Sequence, residues 1–301
     1  MIAEASTHLM GSTITIKIDH PDGEQLIADC FKQLADYQEQ FSANNDRSEL
    51  MQLNQLAGIR PMQVDEDLYD LIKLAVRYSC RGGYFNVAIG PLVKLWHIGF
   101  QDAQVPTAEQ IQTTLKLIDP HQIELDDQNH AVYLKQAGME IDLGGIAKGY
   151  FADQLAIKLK AAGVESALIN LGGSSIVTIG GNANNSDGQW HVGLQDPRGK
   201  RTDYATILAL QDEAMTTSGV YERQLIKSGR TYHHILDPQT GYPIETSIMS
   251  LTVLGHQAVL GEILTTMCFG LEPSQMNDWL KEFPGITILT IDQQGEIRYY
   301  K

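Results

Sequence analysis

Residues 139–171 read MEIDLGGIAKGYFADQLAIKLKAAGVESALINL, and the changes of period along this stretch decide the reading of the fold. Residues 139–143 alternate as a short strand does, and Gly144-Gly145 break the alternation. Residues 146–162 have helical spacing that ends at Gly163, and residues 166–171 return to strand. The unit predicted is strand, glycine pair, helix, strand. Asp142 stands at the end of the strand and Lys148 falls in the first turn of the helix. Glycines let backbone N–H groups approach an anion, a helix start carries partial positive charge, and a lysine adds a full one. The pattern fits a phosphate cradle, and equally a tight turn with Lys148 solvated. It is neither a Walker A loop nor a GxGxxG fingerprint.

Outward from this centre, residues 11–19 (GSTITIKID) alternate as a strand and residues 23–40 have helical periodicity, so the chain is expected to open strand then helix. A second helix is predicted over 66–81, ended by Gly82-Gly83, and a loop-rich stretch runs on to Gly99. Residues 107–118 read as a short helix with Thr107 as N-cap. A hairpin-like pair, 122–125 and 131–135, follows. Beyond the centre the pattern turns to hairpins: 190–195 with 204–210 across Asp196-Pro197-Arg198-Gly199, and another pair around Ser228-Gly229-Arg230. A late helix over 257–270 precedes closing strands at 286–291 and 296–300. Helices and antiparallel strands are intermixed, so the fold class is α+β. With no repeat and no long Pro/Gly/Ser linker, residues 1–301 are expected to form a single domain.

The 301 residues suffice for a large core, and the formal net charge of -15 gives a surface that repels nucleic acid and anionic membrane. Cys30, Cys80 and Cys268 are odd in number and form no CxxC pair, which argues against a zinc knuckle or a disulfide framework and for small buried side chains. No basic-then-apolar leader opens the sequence and no apolar run approaches a membrane span, so the expectation is a soluble, cytoplasmic chain. Membrane association would require an anchor already removed.

Three further segments could carry chemistry. Gly172-Gly173-Ser174-Ser175 follows the strand 166–171 and could bring backbone to the same ligand, or form a bulge. Residues 216–221 (TTSGVY) and 232–241 (YHHILDPQTG) gather hydroxyls and a histidine pair. His234 is a candidate general base near neutral pH, although a histidine in a strand also serves structure. Glu262 and Thr266 stand four apart on the late helix, sharing a face that offers oxygens to a hard cation or simply to water.

Taken in order, these segments resemble the ApbE family of FAD:protein FMN transferases. The resemblance runs through Met10-Gly11-Ser12, Phe41-Ser42, Ser48-Glu49-Leu50, Gly83-Tyr84-Phe85-Asn86 and Gly90-Pro91-Leu92. It continues through IDLGGIAKGYFAD, Asn170-Leu171-Gly172-Gly173, Thr217-Ser218-Gly219 and HHILDPQTG. It implies mixed helices and largely antiparallel sheets of the ApbE, T-fold-like type, with a ligand cleft between two closely joined halves. Met10, Asn44, Asn86, Val87, Ala88, Ile89, Asp142, Lys148, Thr217 and Ile235 would line the FAD site. The carbonyl of Gly145 with the side chains of Glu262 and Thr266 would hold Mg²⁺.

Three positions depart from the family pattern. Asn44 stands where an aromatic is usual, and Asn86 and Glu262 stand where aspartate is usual. The implied reaction is Mg²⁺-dependent attack by a Ser or Thr hydroxyl of a separate target protein on the FMN-side phosphorus of FAD, releasing AMP. His234 would take the proton and Lys148 would hold the pyrophosphate. Water as nucleophile would make the same site an FAD pyrophosphatase. A non-catalytic FAD-binding protein would release no AMP.

Overall fold

The computed structural model describes residues 2–301. The chain opens with a hairpin, β1 (Ile2–Leu9) and β2 (Ser12–Asp19), and then α1 (Gly23–Gln40). The expected strand-then-helix opening therefore lacked one strand. α2 (Glu49–Gln55), β3 (Met62–Gln63), α3 (Glu66–Ser79), α4 (Gly90–Trp96) and α5 (Ala108–Thr114) follow. Thr107 caps α5 through a reciprocal capping box with Gln110, and the last part of the predicted helix tightens to a 3₁₀ turn. β4 (Ile123–Asp126) and β5 (Ala131–Leu134) form the predicted pair, and β3 joins them in a small sheet.

α6 (Ala147–Ala161) and β6 (Ala167–Leu171) stand where the sequence places them, but residues 139–143 form no strand. Their one ladder contact is a bridge from Glu140 to Ile89. The reason is a side chain. Asn54 donates to the Ile141 carbonyl at 3.0 Å and accepts the Ile141 N–H at 2.8 Å, acting as the partner a neighbouring strand would have been. The Asp142 N–H goes to the Val87 carbonyl at 2.9 Å.

The rest comprises β7 (Ser175–Ile179), β8 (Trp190–Gln195), β9 (Tyr204–Leu210), β10 (Ala214–Gly219), β11 (Gln224–Lys227), β12 (Arg230–His233), β13 (Ile248–Gly255), α7 (Ala258–Cys268), α8 (Pro273–Leu280), β14 (Thr287–Asp292) and β15 (Ile297–Tyr300). Eight strands form one antiparallel sheet in the order β1-β2-β6-β7-β10-β13-β14-β15, while among the described residues β8 with β9 and β11 with β12 form two separate two-stranded sheets. The architecture is α+β with mostly antiparallel sheets.

Alternation gives the large sheet two apolar faces. Ile14, Ile169, Val177, Ala214 and Leu251 pack with α1, α6 and α7 in a core that continues without a break into Leu68, Leu71 and Val132 of the segment 49–134. Leu168, Ile176 and Met215 face the other way, under Trp190, Val192 and Leu194 of β8. Cys30 and Cys268 are buried as expected, whereas Cys80 is exposed. Among the described residues no helix is long and apolar enough to cross a membrane.

Candidate active site

The segment between residue 139 and α6 passes one end of the large sheet, where β2 starts, β6 turns into β7 and β10 ends. Here a cleft of about 1230 Å³ opens. Met10, Asn44, Asn86, Ile89, Asp142, Gly145, Lys148, Thr217, His234, Ile235, Glu262 and Thr266 all line it. Val87 and Ala88 do not: both are fully buried in the core, and their expected place at a ligand reduces to backbone. Asn86 reaches the cleft, but its amide is already spent, donating to the Ile118 carbonyl at 2.8 Å and accepting from the Ala88 N–H at 2.9 Å. Asn44 is exposed at the rim.

Thr217 lies on the other face of the sheet from Lys148. Its neighbours Thr216 and Ser218 face α7, Ser218 donating to Thr265 Oγ1 at 2.8 Å, so strand alternation turns Thr217 away to Thr252 at 2.9 Å. It meets the cleft on that other face, which Lys17, Asn170 and Met215 also line.

Lys148 is not a solvated surface charge. Its Nζ donates to Ser174 Oγ at 2.6 Å, and burial lowers its pKa, opposed by the nearby Glu262 carboxylate and reinforced by the Arg223 guanidinium. The glycine turn opposite is forced by contact: Gly172 has φ +78°, and a Cβ there would lie 2.5 Å from Ser12 Oγ. Two amides of the first turn of α6 are already engaged, Ala147 with the Leu143 carbonyl at 2.8 Å and Gly149 with Glu262 Oε2 at 2.8 Å. The helix start thus offers fewer free donors than the sequence suggests, and more of the positive field rests on side chains. Asp142 accepts the Gly144 N–H at 2.7 Å; burial raises its pKa against that hydrogen bond and the Arg223 charge.

Glu262 corrects a second expectation. It does not sit on a solvated helix face but is 8% exposed, with Oε2 on the Gly149 N–H and Oε1 on the Ser175 hydroxyl. Burial pushes its pKa up to about 7 despite the pull of Lys148. α6 and α7 approach closely because Gly149 has no side chain; a Cβ there would meet the Ala258 carbonyl at 2.6 Å. The helix ends are capped reciprocally: Asp153 of α6 accepts the N–H groups of Ala258 and Val259 at 2.9 Å each, and Glu262 of α7 accepts one from α6.

His233 closes β12, and its Nε2 is 2.9 Å from the Ile244 carbonyl. His234 lies just beyond the strand, with Nδ1 3.3 Å from the Arg223 carbonyl. That contact makes Nδ1 the protonated nitrogen and leaves Nε2 an acceptor. Burial lowers the His234 pKa to about 4, aided by the charges of Arg223 and Lys148, so the ring is neutral at neutral pH and does not titrate there as the sequence suggests.

Ser174, Ser175 and Arg223 were not singled out individually from sequence. The serines lie within the glycine cluster 172–175, where their proximity to the ligand loop is the one local signal. Arg223 had no local signal, since only the turn after β10 brings it to His234, Asp142 and Lys148.

The oxygens of Gly145, Glu262 and Thr266 suit a hard cation, and the Thr266 hydroxyl has no hydrogen-bond partner among the described residues. Among the described residues no group of three or more His, Cys, Asp or Glu is arranged to hold a metal. One carboxylate with a hydroxyl and a carbonyl fits Mg²⁺, which is commonly held by few carboxylates together with substrate phosphates and water.

The ApbE family model matches residues 10–290. An FAD:protein FMN transferase of Klebsiella pneumoniae is 40% identical over 267 residues, covering 88% of this chain and 81% of its own length. One of Treponema pallidum is 38% identical over 270 residues, covering 86% and 74%. Among solved structures, the ApbE protein of Thermotoga maritima superposes with a TM-score of 0.89 at 28% identity over 100% of this chain and 97% of that one. The apo flavinyl transferase ApbE of Pseudomonas stutzeri does so at 0.84 and 27%, over 100% and 95%. With its sequence matched almost from end to end and its fold reproduced, the chain belongs to the ApbE family.

Proposed function

We propose that this protein is an FAD:protein FMN transferase that uses Mg²⁺, takes FAD in the cleft beside the Gly172-Gly173 turn, and passes its FMN half to a Ser or Thr hydroxyl of a separate protein. The observation that carries the reading is the convergence of Lys148, neutral His234 and the oxygens of Gly145, Glu262 and Thr266 on one cleft. The names of the relatives support it.

The acceptor oxygen attacks the FMN-side phosphorus; a new P–O bond forms, the bond to the bridging oxygen breaks, and AMP leaves. His234 Nε2 accepts the hydroxyl proton, held in that tautomer by its Nδ1 contact with Arg223. Lys148, fixed by Ser174, and Arg223 provide positive charge where the pyrophosphate lies. Gly145, Glu262 and Thr266 would hold Mg²⁺, which supplies Lewis-acid neutralisation of the phosphate oxygens.

The test is incubation with FAD, Mg²⁺ and a candidate flavin-binding acceptor protein, reading the acceptor's mass and the AMP released. An added FMN with equimolar AMP supports the reading. AMP with unmodified acceptor makes the protein a hydrolase, and neither product makes it a binder.

A further inference from the structure

The cleft does not end at the glycine turn. All six residues of β8 line it, those pointing toward the sheet (Trp190, Val192, Leu194) and those pointing away (His191, Gly193, Gln195). Side chains of both directions can share one cleft only where it runs along the strand's edge. That edge is open, because among the described residues β8 pairs with β9 and with no other strand. Beneath it, Lys17 of β2 and Asn170 of β6 form a polar floor on the part of the sheet that the β8-β9 hairpin leaves uncovered. Trp190 Nε1 is buried with no hydrogen-bond partner, a donor left over on the cleft wall. At the other end of β8, the turn to β9 brings Arg201 Nη2 within 3.3 Å of the Gly172 carbonyl, so the edge leads to the candidate active site.

We propose that the open edge of β8 receives an extended segment of the acceptor protein, which pairs with it main chain to main chain and delivers its hydroxyl to the Gly172-Gly173 end of the cleft. The inference rests on the transferase reading. Such a reaction needs a second, macromolecular substrate in the same cleft as FAD, and the volume of about 1230 Å³ exceeds the roughly 300–1,000 Å³ usual for one small ligand. An unpaired strand edge binds any chain that presents an extended backbone, as in strand-addition complexes. Six residues of β8 span about 20 Å, so a segment of about six residues is accommodated.

The experiment is amide hydrogen exchange over residues 190–195, measured with and without an excess of the acceptor that takes up FMN in the transfer assay, FAD being omitted. Exchange in β8 is expected to slow at least tenfold while β11, which also has a free edge, is unchanged. Lys17→Trp, which fills the floor beneath the edge, is expected to raise the KM for the acceptor at least tenfold with FAD affinity unchanged. Protection of β11 instead of β8, protection that follows enzyme concentration without acceptor, or transfer with no protection at all overturns this inference alone. Failure of FMN transfer to every acceptor tried overturns it together with the transferase reading.

Discussion

Glu262 Oε2 accepts the N–H of Gly149 at 2.8 Å, so the carboxylate of one helix caps the start of the other at the point where both reach the cleft. Glu262 therefore holds the α6-α7 junction together, and on the proposed reading it would also present oxygen to Mg²⁺. Glu262→Gln must place an amide NH₂ against either Gly149 N–H or Ser175, leaving a buried donor without an acceptor. The expected cost is about 1–3 kcal/mol of stability by urea denaturation. A weakened Mg²⁺ dependence of transfer should accompany it. An unchanged Mg²⁺ titration would remove α7 from the cation site.

Lys148 is oriented by Ser174 and surrounded by the glycine turn, so Lys148→Ala deletes a charge-assisted contact in a partly buried place. Hydrogen bonds to charged groups contribute about 1.5–3 kcal/mol, which corresponds to roughly a 10- to 150-fold rise in the FAD dissociation constant. Lys148→Met preserves the stem and should behave as the alanine does. Equal FAD affinity in all three proteins would return Lys148 to a structural role.

His234→Ala should slow FMN transfer by about 10²- to 10⁴-fold with FAD affinity nearly unchanged. His233→Ala is the control: its ring is committed to Ile244, so stability falls and transfer does not. A histidine whose pKa is lowered to about 4 is already neutral well below pH 6.5. His234 should therefore contribute no acid limb near pH 6.5, and any loss due to this group should appear only toward pH 4. A limb centred at pH 6.5 that disappears in His234→Ala would contradict the buried, neutral ring.

Asp153 caps α7 from α6, and burial raises its pKa from 3.8 to about 6. Between these two values the folded protein binds more proton than the unfolded chain, so this group's contribution to stability is present at low pH and declines as pH rises toward 6. Asp153→Asn removes the titration while keeping one acceptor for the two amides. The stability of wild type relative to this variant should fall by up to about 1.4 kcal/mol per pH unit across that window, measured by denaturant unfolding at pH 4, 5 and 6. A difference independent of pH would show that the carboxylate does not titrate in this range.

The local punctuation of the chain was legible in its residues. α1 and α6, the hairpins β8-β9 and β11-β12, the Thr107 cap and the Gly172-Gly173 turn all follow from period and breaker residues, which act over a few positions. Ordered blocks of such residues were also enough to indicate the family. The central strands β7, β10 and β13 were not legible, because a strand buried on both faces loses its alternation and β10 (AMTTSG) has no apolar run. Only the tertiary structure decided that residues 139–143 are satisfied by Asn54 instead of a strand, that Glu262 is buried, and that Thr217 faces away from Lys148. It also brought Arg223 to His234. Each of these depends on which distant group fills a hydrogen bond or removes water, and a pair such as Asn54 and Ile141, 87 positions apart, leaves no periodic trace in the sequence.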